Sequence, residues 1–186
     1  MIKNTILIVV SLVTLMTTPL MSQNYTLKGN TNQINWTGYA EAGGFSQTGV
    51  ITIQSSEVVM DKDGKLSGKV IIDMKSLFSE SKKLTKHLKD KDFFDVKKYP
   101  IAILQFEQAT NGEVAGELLL KGVTGEVRFQ PKIEQKGNQL TVTGEATIDR
   151  TLYGIKYNSS SYFQDLGSYA IKNDFDIGFE LVYVVE

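Results

Sequence analysis

Apolar and polar residues alternate with a period of two through most of this chain. A helix cannot present that pattern as one apolar face, whereas a strand with one buried side must. Phe175, Ile177, Phe179, Leu181 and Tyr183 alternate with Asp174, Asp176 and Glu180. Leu140, Val142, Ala146 and Ile148 alternate with threonines and acids, and Val127, Phe129 and Ile133 with Arg128, Gln130 and Lys132. Turn residues separate the runs: Asp61-Lys62-Asp63-Gly64, Asn111-Gly112, Lys136-Gly137-Asn138, and Gly122 with Gly125. Asn-Gly accepts the positive φ angles of a two-residue hairpin. The expectation is a mainly β domain of about eight antiparallel strands joined as hairpins. Such a set leaves two free edges unless it closes into an up-and-down barrel. A two-sheet sandwich is the competing architecture.

The 186 residues suit one domain. A net charge of −1, with lysines interleaved among acids, argues against a nucleic-acid partner. The absence of cysteine excludes disulfides, thiolate metal sites and a lipoprotein anchor, and a lone histidine, His87, cannot build a multi-histidine metal centre. Lys3, the apolar run Thr5 to Met16 and the break at Pro19 read as a signal peptide over residues 1–22, cut before Gln23. An uncleaved anchor is the alternative. The barrel domain is then 23–186, in the periplasm or outside the cell.

One stretch departs from the alternation. Leu84, Leu88 and Lys91 recur at helical spacing, and Ser81 is a suitable N-cap, which predicts a short helix over 81–89. The stretch His87-Leu88-Lys89-Asp90-Lys91-Asp92-Phe93-Phe94-Asp95-Val96-Lys97-Lys98-Tyr99-Pro100 follows. Gly116 to Thr124 and Ala146-Thr147-Ile148-Asp149-Arg150-Thr151-Leu152-Tyr153-Gly154-Ile155 come later. In this order the three stretches resemble the YceI-like family, often described as polyisoprenoid-binding. The resemblance covers essentially all of 23–186. It implies a lipocalin-like barrel with a helix beside its mouth, an elongated apolar tunnel, and an isoprenoid, quinone-like or fatty-acyl ligand. It implies no catalytic cofactor or metal, and some relatives pair as dimers.

On that reading the tunnel is lined by Trp36, Ile72, Met74, Leu104, Phe106, Leu118, Leu120, Val127, Phe129, Ala146, Ile148, Phe175, Ile177 and Phe179. An alternating apolar face also suits a filled core, and an exported interaction module is the rival. Phe93 and Phe94 either plug and line the tunnel or dock the helix. Leu84, Leu88, Tyr153, Tyr157 and Phe163 are candidates for a mobile mouth. Arg150 pairs with Asp149 or meets a polar head group. His87 reads as a solvated residue on the helix surface. Catalysis has little support. Asp90, Asp92 and Asp95 sit among lysines, Ser159-Ser160-Ser161 lacks a nearby histidine and elbow glycines, and Gly122 to Gly125 lacks the lysine of a phosphate loop.

Overall fold

The computed structural model describes residues 22–29, 32–108 and 112–185. The expected signal peptide lies outside the described residues except for Ser22, as does Asn111 of one expected turn. The elements are Gln23–Leu27 (β1), Gln33–Ala40 (β2), Ser46–Met60 (β3), Leu66–Phe78 (β4), the helix Lys82–Lys89 (α1), Ile101–Gln108 (β5), Val114–Leu120 (β6), Val123–Phe129 (β7), Lys132–Lys136 (β8), Gln139–Asp149 (β9) and Ile171–Val185 (β10). Short 3-10 turns occupy Arg150–Tyr153 and Gly167–Tyr169. Among the described residues no helix is long and apolar enough to cross a membrane.

Among the described residues every strand pairing is antiparallel. The ten strands fill eight places around a barrel, because two places are each shared by two short strands. β1 and β2 follow one another between β3 and β10: β1 pairs with their far ends and β2 with their near ends. Between them the ladder resumes where the Ile53 amide donates to the Asn32 carbonyl at 2.7 Å. β7 and β8 form the second shared place. Pro131 stands between them and cannot donate to a ladder, so it splits one descending strand in two. β8 pairs with the first half of β9, from Lys132↔Thr143 to Lys136↔Gln139. β7 returns alongside the remainder of β9 and the Arg150–Tyr153 turn without ladder pairing. This closes the barrel by packing on that side and removes the exposed edge that an open sheet would leave.

The hairpins follow local turn chemistry. Asp61 caps its own turn, its Oδ1 accepting from the Asp63 and Lys65 amides, each at 2.9 Å. Lys121 and Gly122 both take positive φ, 50° and 78°, the conformation that a two-residue hairpin requires. Ser81 caps α1 as expected, its Oγ accepting from the Leu84 amide at 3.2 Å.

The longest hairpin carries a bulge. Register between β3 and β4 shifts between Ile53 and Ser55, so β3 buries Ile51 and Ile53 and then Ser56 and Val58. One inserted residue changes which parity faces inward. A close approach fixes the other end of β3. A Cβ on Gly49 would lie 1.9 Å from the Phe78 carbonyl oxygen and 2.5 Å from the Trp36 ring. Gly49→Ala is therefore expected to cost about 1–3 kcal/mol by overpacking. Gly178→Ala, with nothing within 4 Å, should stay within about 0.5 kcal/mol. Urea unfolding of the two variants measures the difference.

Candidate ligand-binding cavity

The barrel is hollow. A cavity of about 370 Å³ runs along its inside, within the ~300–1,000 Å³ range of small-ligand sites. At the closed end it is bounded by Val58, Leu66, Val114, Leu181 and Tyr183. The Tyr183 hydroxyl shares a buried hydrogen bond with Ser56 Oγ at 2.9 Å, and burial pushes the phenol pKa up. At the other end lie Tyr39, Phe45, Gln47, Ser168, Tyr169, Lys172 and Asp174. The wall between is apolar apart from Arg150 and the indole of Trp36, and the other polar groups gather at the mouth apart from Tyr183.

Nineteen of the expected residues line this cavity: Trp36, Ile72, Met74, Leu84, Leu88, Phe93, Phe94, Leu104, Phe106, Leu118, Leu120, Val127, Phe129, Ala146, Ile148, Arg150, Phe175, Ile177 and Phe179. Phe129 and Phe179 meet edge to face at 5.6 Å. Three residues expected at the mouth are elsewhere, and one of them, Tyr157, is partly buried against His87 and Phe93. Tyr153 is buried in a wall of the barrel, its ring against Gly125, where a Cβ would lie 2.8 Å from the hydroxyl. A tyrosine can reach that place because glycine leaves β7 without a side chain there. Phe163 points to solvent, half exposed, and does not line the cavity. Several lining residues were not expected, among them Ile51, Ile53 and Val58 of β3 and Val70 of β4. The bulge hides the first three, because no single parity runs along β3.

The helix end is built by the chain folding back on itself. The Phe94 amide donates to the Leu88 carbonyl at 3.1 Å and the Val96 amide to Lys89 at 3.0 Å. This brings Phe93 and Phe94 under α1, and both line the cavity rather than one plugging a floor. Phe94 meets Phe175 edge to face at 6.4 Å. His87 is not a solvated surface residue. It is half-buried, with Phe93 at 5.1 Å and Tyr157 at 4.6 Å, both edge to face.

Arg150 is 3% exposed, and it does not form the expected pair with Asp149. The Asp149 carboxylate is occupied as a cap, accepting from the Thr151 amide at 2.8 Å and hydroxyl at 2.6 Å. Arg150 instead donates to three backbone carbonyls: Nε to Lys172 at 3.0 Å, Nη1 to Ile155 at 2.7 Å and Nη2 to Ile171 at 2.9 Å. Its guanidinium also lies 5.8 Å from the Phe93 ring centroid. Burial lowers its pKa, and Asp149 partly opposes that shift. A guanidinium carries five N–H donors, so these three bonds leave one on each Nη, and Arg150 is among the residues that line the cavity.

Outside the mouth, Asp176 accepts from the Tyr39 hydroxyl at 2.6 Å and the Thr147 hydroxyl at 2.7 Å. These bonds hold its carboxyl below the usual carboxylate range and raise the Tyr39 phenol. A depressed folded-state pKa adds stability above the unfolded value of about 3.9. That stability is lost as pH falls through the folded value. Asp176→Asn should therefore flatten the acid side of the stability curve below about pH 4, as read from melting temperature against pH. Among the described residues no cluster of His, Asp or Glu could hold a metal ion.

An antiparallel barrel enclosing a long apolar cavity, with polar groups at its mouth and a helix beside it, defines a lipocalin-like architecture. The YceI-like domain matches residues 22–183, and the chain belongs to that family. A UPF0312 protein of Staphylococcus aureus is 35% identical over 83 residues, which are 40% of this chain and 47% of that protein. The chain thus matches about half the length of these curated relatives. BcnA of Burkholderia cenocepacia superposes with a TM-score of 0.67 at 20% identity, covering 84% of this chain and 98% of BcnA. A polyisoprenoid-binding domain from Saccharophagus degradans does so with a TM-score of 0.61 at 15% identity, covering 87% and 98%. At these identities the likeness is one of fold.

Proposed function

We propose that this protein is exported and carries one long-chain lipid non-covalently in its barrel, with no chemistry performed on it. The observation that carries the reading is the cavity: about 370 Å³, apolar along its length, with polar groups concentrated at one end. That arrangement suits a molecule with a long hydrocarbon chain and one polar end. Burial of the chain contributes roughly 25 cal/mol per Å², and a few polar groups set its direction. An isoprenoid, quinone-like or acyl molecule has this form. Family membership and the fold shared with a polyisoprenoid-binding domain support the same class. The two remaining Arg150 N–H groups are the donors assigned to a quinone oxygen, carboxylate or phosphate. The absence of catalysis is part of the proposal: Asp174 is the one carboxylate residue among the described residues that line the cavity, and it is exposed rather than held in a dry site.

The test is organic extraction of the protein purified from its own host without detergent, followed by mass spectrometry. A stoichiometric long-chain species establishes the carrier and names its cargo. A protein that emerges empty and also refuses added polyprenyl and fatty-acyl ligands overturns the proposal.

A further inference from the structure

We infer that the open end of the barrel docks on a lipid bilayer through an aromatic rim, so that cargo passes between membrane and tunnel without crossing water. The inference rests on the lipid-carrier reading of the cavity. Phe45 is 73% exposed and Tyr169 is 77% exposed, and both also line the mouth of the cavity. Exposed aromatic residues scattered singly need no explanation. These two are joined to the apolar interior, and two more stand near them. Tyr162 and Phe163, about half exposed, lie on a segment tied to the same rim, where Ser160 Oγ donates to Glu41 Oε1 at 2.7 Å. The Glu41 amide in turn donates to the Ala170 carbonyl beside Tyr169 at 2.9 Å.

A bilayer fits this surface better than water or a polar partner. Tyrosine and phenylalanine rings settle at the boundary between head groups and acyl chains. α1 reaches the cavity through Leu84 and Leu88 and carries four lysines and no acid, with Lys82, Lys83 and Lys86 exposed. Lysines near a membrane surface favour anionic head groups. Charges at the rim itself, Glu41, Lys172 and Asp174, are mixed, so the aromatics carry insertion and the helix lysines bias head-group choice.

The test is co-sedimentation of the full chain, as its host leaves it, with phosphatidylcholine vesicles, with and without phosphatidylglycerol. The parent sediments, and more so with phosphatidylglycerol. The double variant Phe45→Ser/Tyr169→Ser, sharing the parent's N-terminus, partitions roughly tenfold or more weaker. Both positions are exposed, so its melting temperature should match the parent's. The added fluorescence of a Phe45→Trp variant is quenched by brominated phosphatidylcholine. A parent that stays in the supernatant, a double variant that sediments equally, or unquenched emission overturns the docking. Extraction of the same samples separates the two proposals. Cargo without sedimentation sinks the docking alone, and sedimentation without cargo sinks the carrier reading alone.

Discussion

Replacing Leu118 with tryptophan is expected to narrow the tunnel, leaving the protein folded while the proposed lipid binds more weakly. Leu118 is buried on β6 and faces the cavity between Leu104 and Leu120. In a filled core, the added ring would force strain of about 1–3 kcal/mol. Here it has space to enter, so most of the effect falls on the ligand. Displacing two or three buried methylenes of a lipid chain costs about 0.8 kcal/mol each, which weakens binding roughly ten- to fiftyfold. Extraction of the variant should recover far less lipid at a near-parental melting temperature. Full occupancy would mean that cargo does not lie along β6.

Arg150→Met should be the most damaging change at the mouth, and its damage should be to the fold. It removes three charge-assisted bonds to the carbonyls of Ile155, Ile171 and Lys172, with Ile155 itself fully buried. The Ile155 carbonyl bond is buried and the other two are part-buried; an orphaned acceptor costs about 1–3 kcal/mol when buried and less where water reaches it, so a total of about 3–5 kcal/mol is expected. For a domain of this size that lowers the melting temperature by roughly 10 °C or more. Arg150→Lys should recover little, since an ammonium cannot reproduce the planar fork. A parental melting temperature in Arg150→Met would show that these bonds do not hold the 151–171 segment to β10.

Much of the barrel was legible in the residues. Period-two runs with turn chemistry between them defined strands, and a capped helical repeat defined α1, since both signals are local. The inward face was also legible wherever a strand kept one parity. On β10, Phe175, Ile177 and Phe179 line the cavity as their alternation predicts. β3 was not legible in the same way, because its bulge moves the buried set from Ile51 and Ile53 to Ser56 and Val58.

Partner choice was where local reading stopped. Asp149 and Arg150 are neighbours of opposite charge, which invites a pair. In the fold, Asp149 caps the turn that follows, and Arg150 reaches carbonyls up to 22 residues away. His87 looked like a surface residue until the chain folded Phe93 and Tyr157 against it. The tyrosines expected at the mouth went elsewhere: Tyr157 packed against His87, and Tyr153 fell against a glycine on β7.

By itself, then, the sequence determined that this chain makes antiparallel strands with one greasy face and a short helix, because alternation, caps and turns act over a few residues. Only the tertiary structure decided that the greasy face encloses space rather than filling it. The pattern that lines a cavity is the same pattern that packs a core. The difference lies in how the eight strand places curve around one another, a distance set by contacts between residues far apart in the chain.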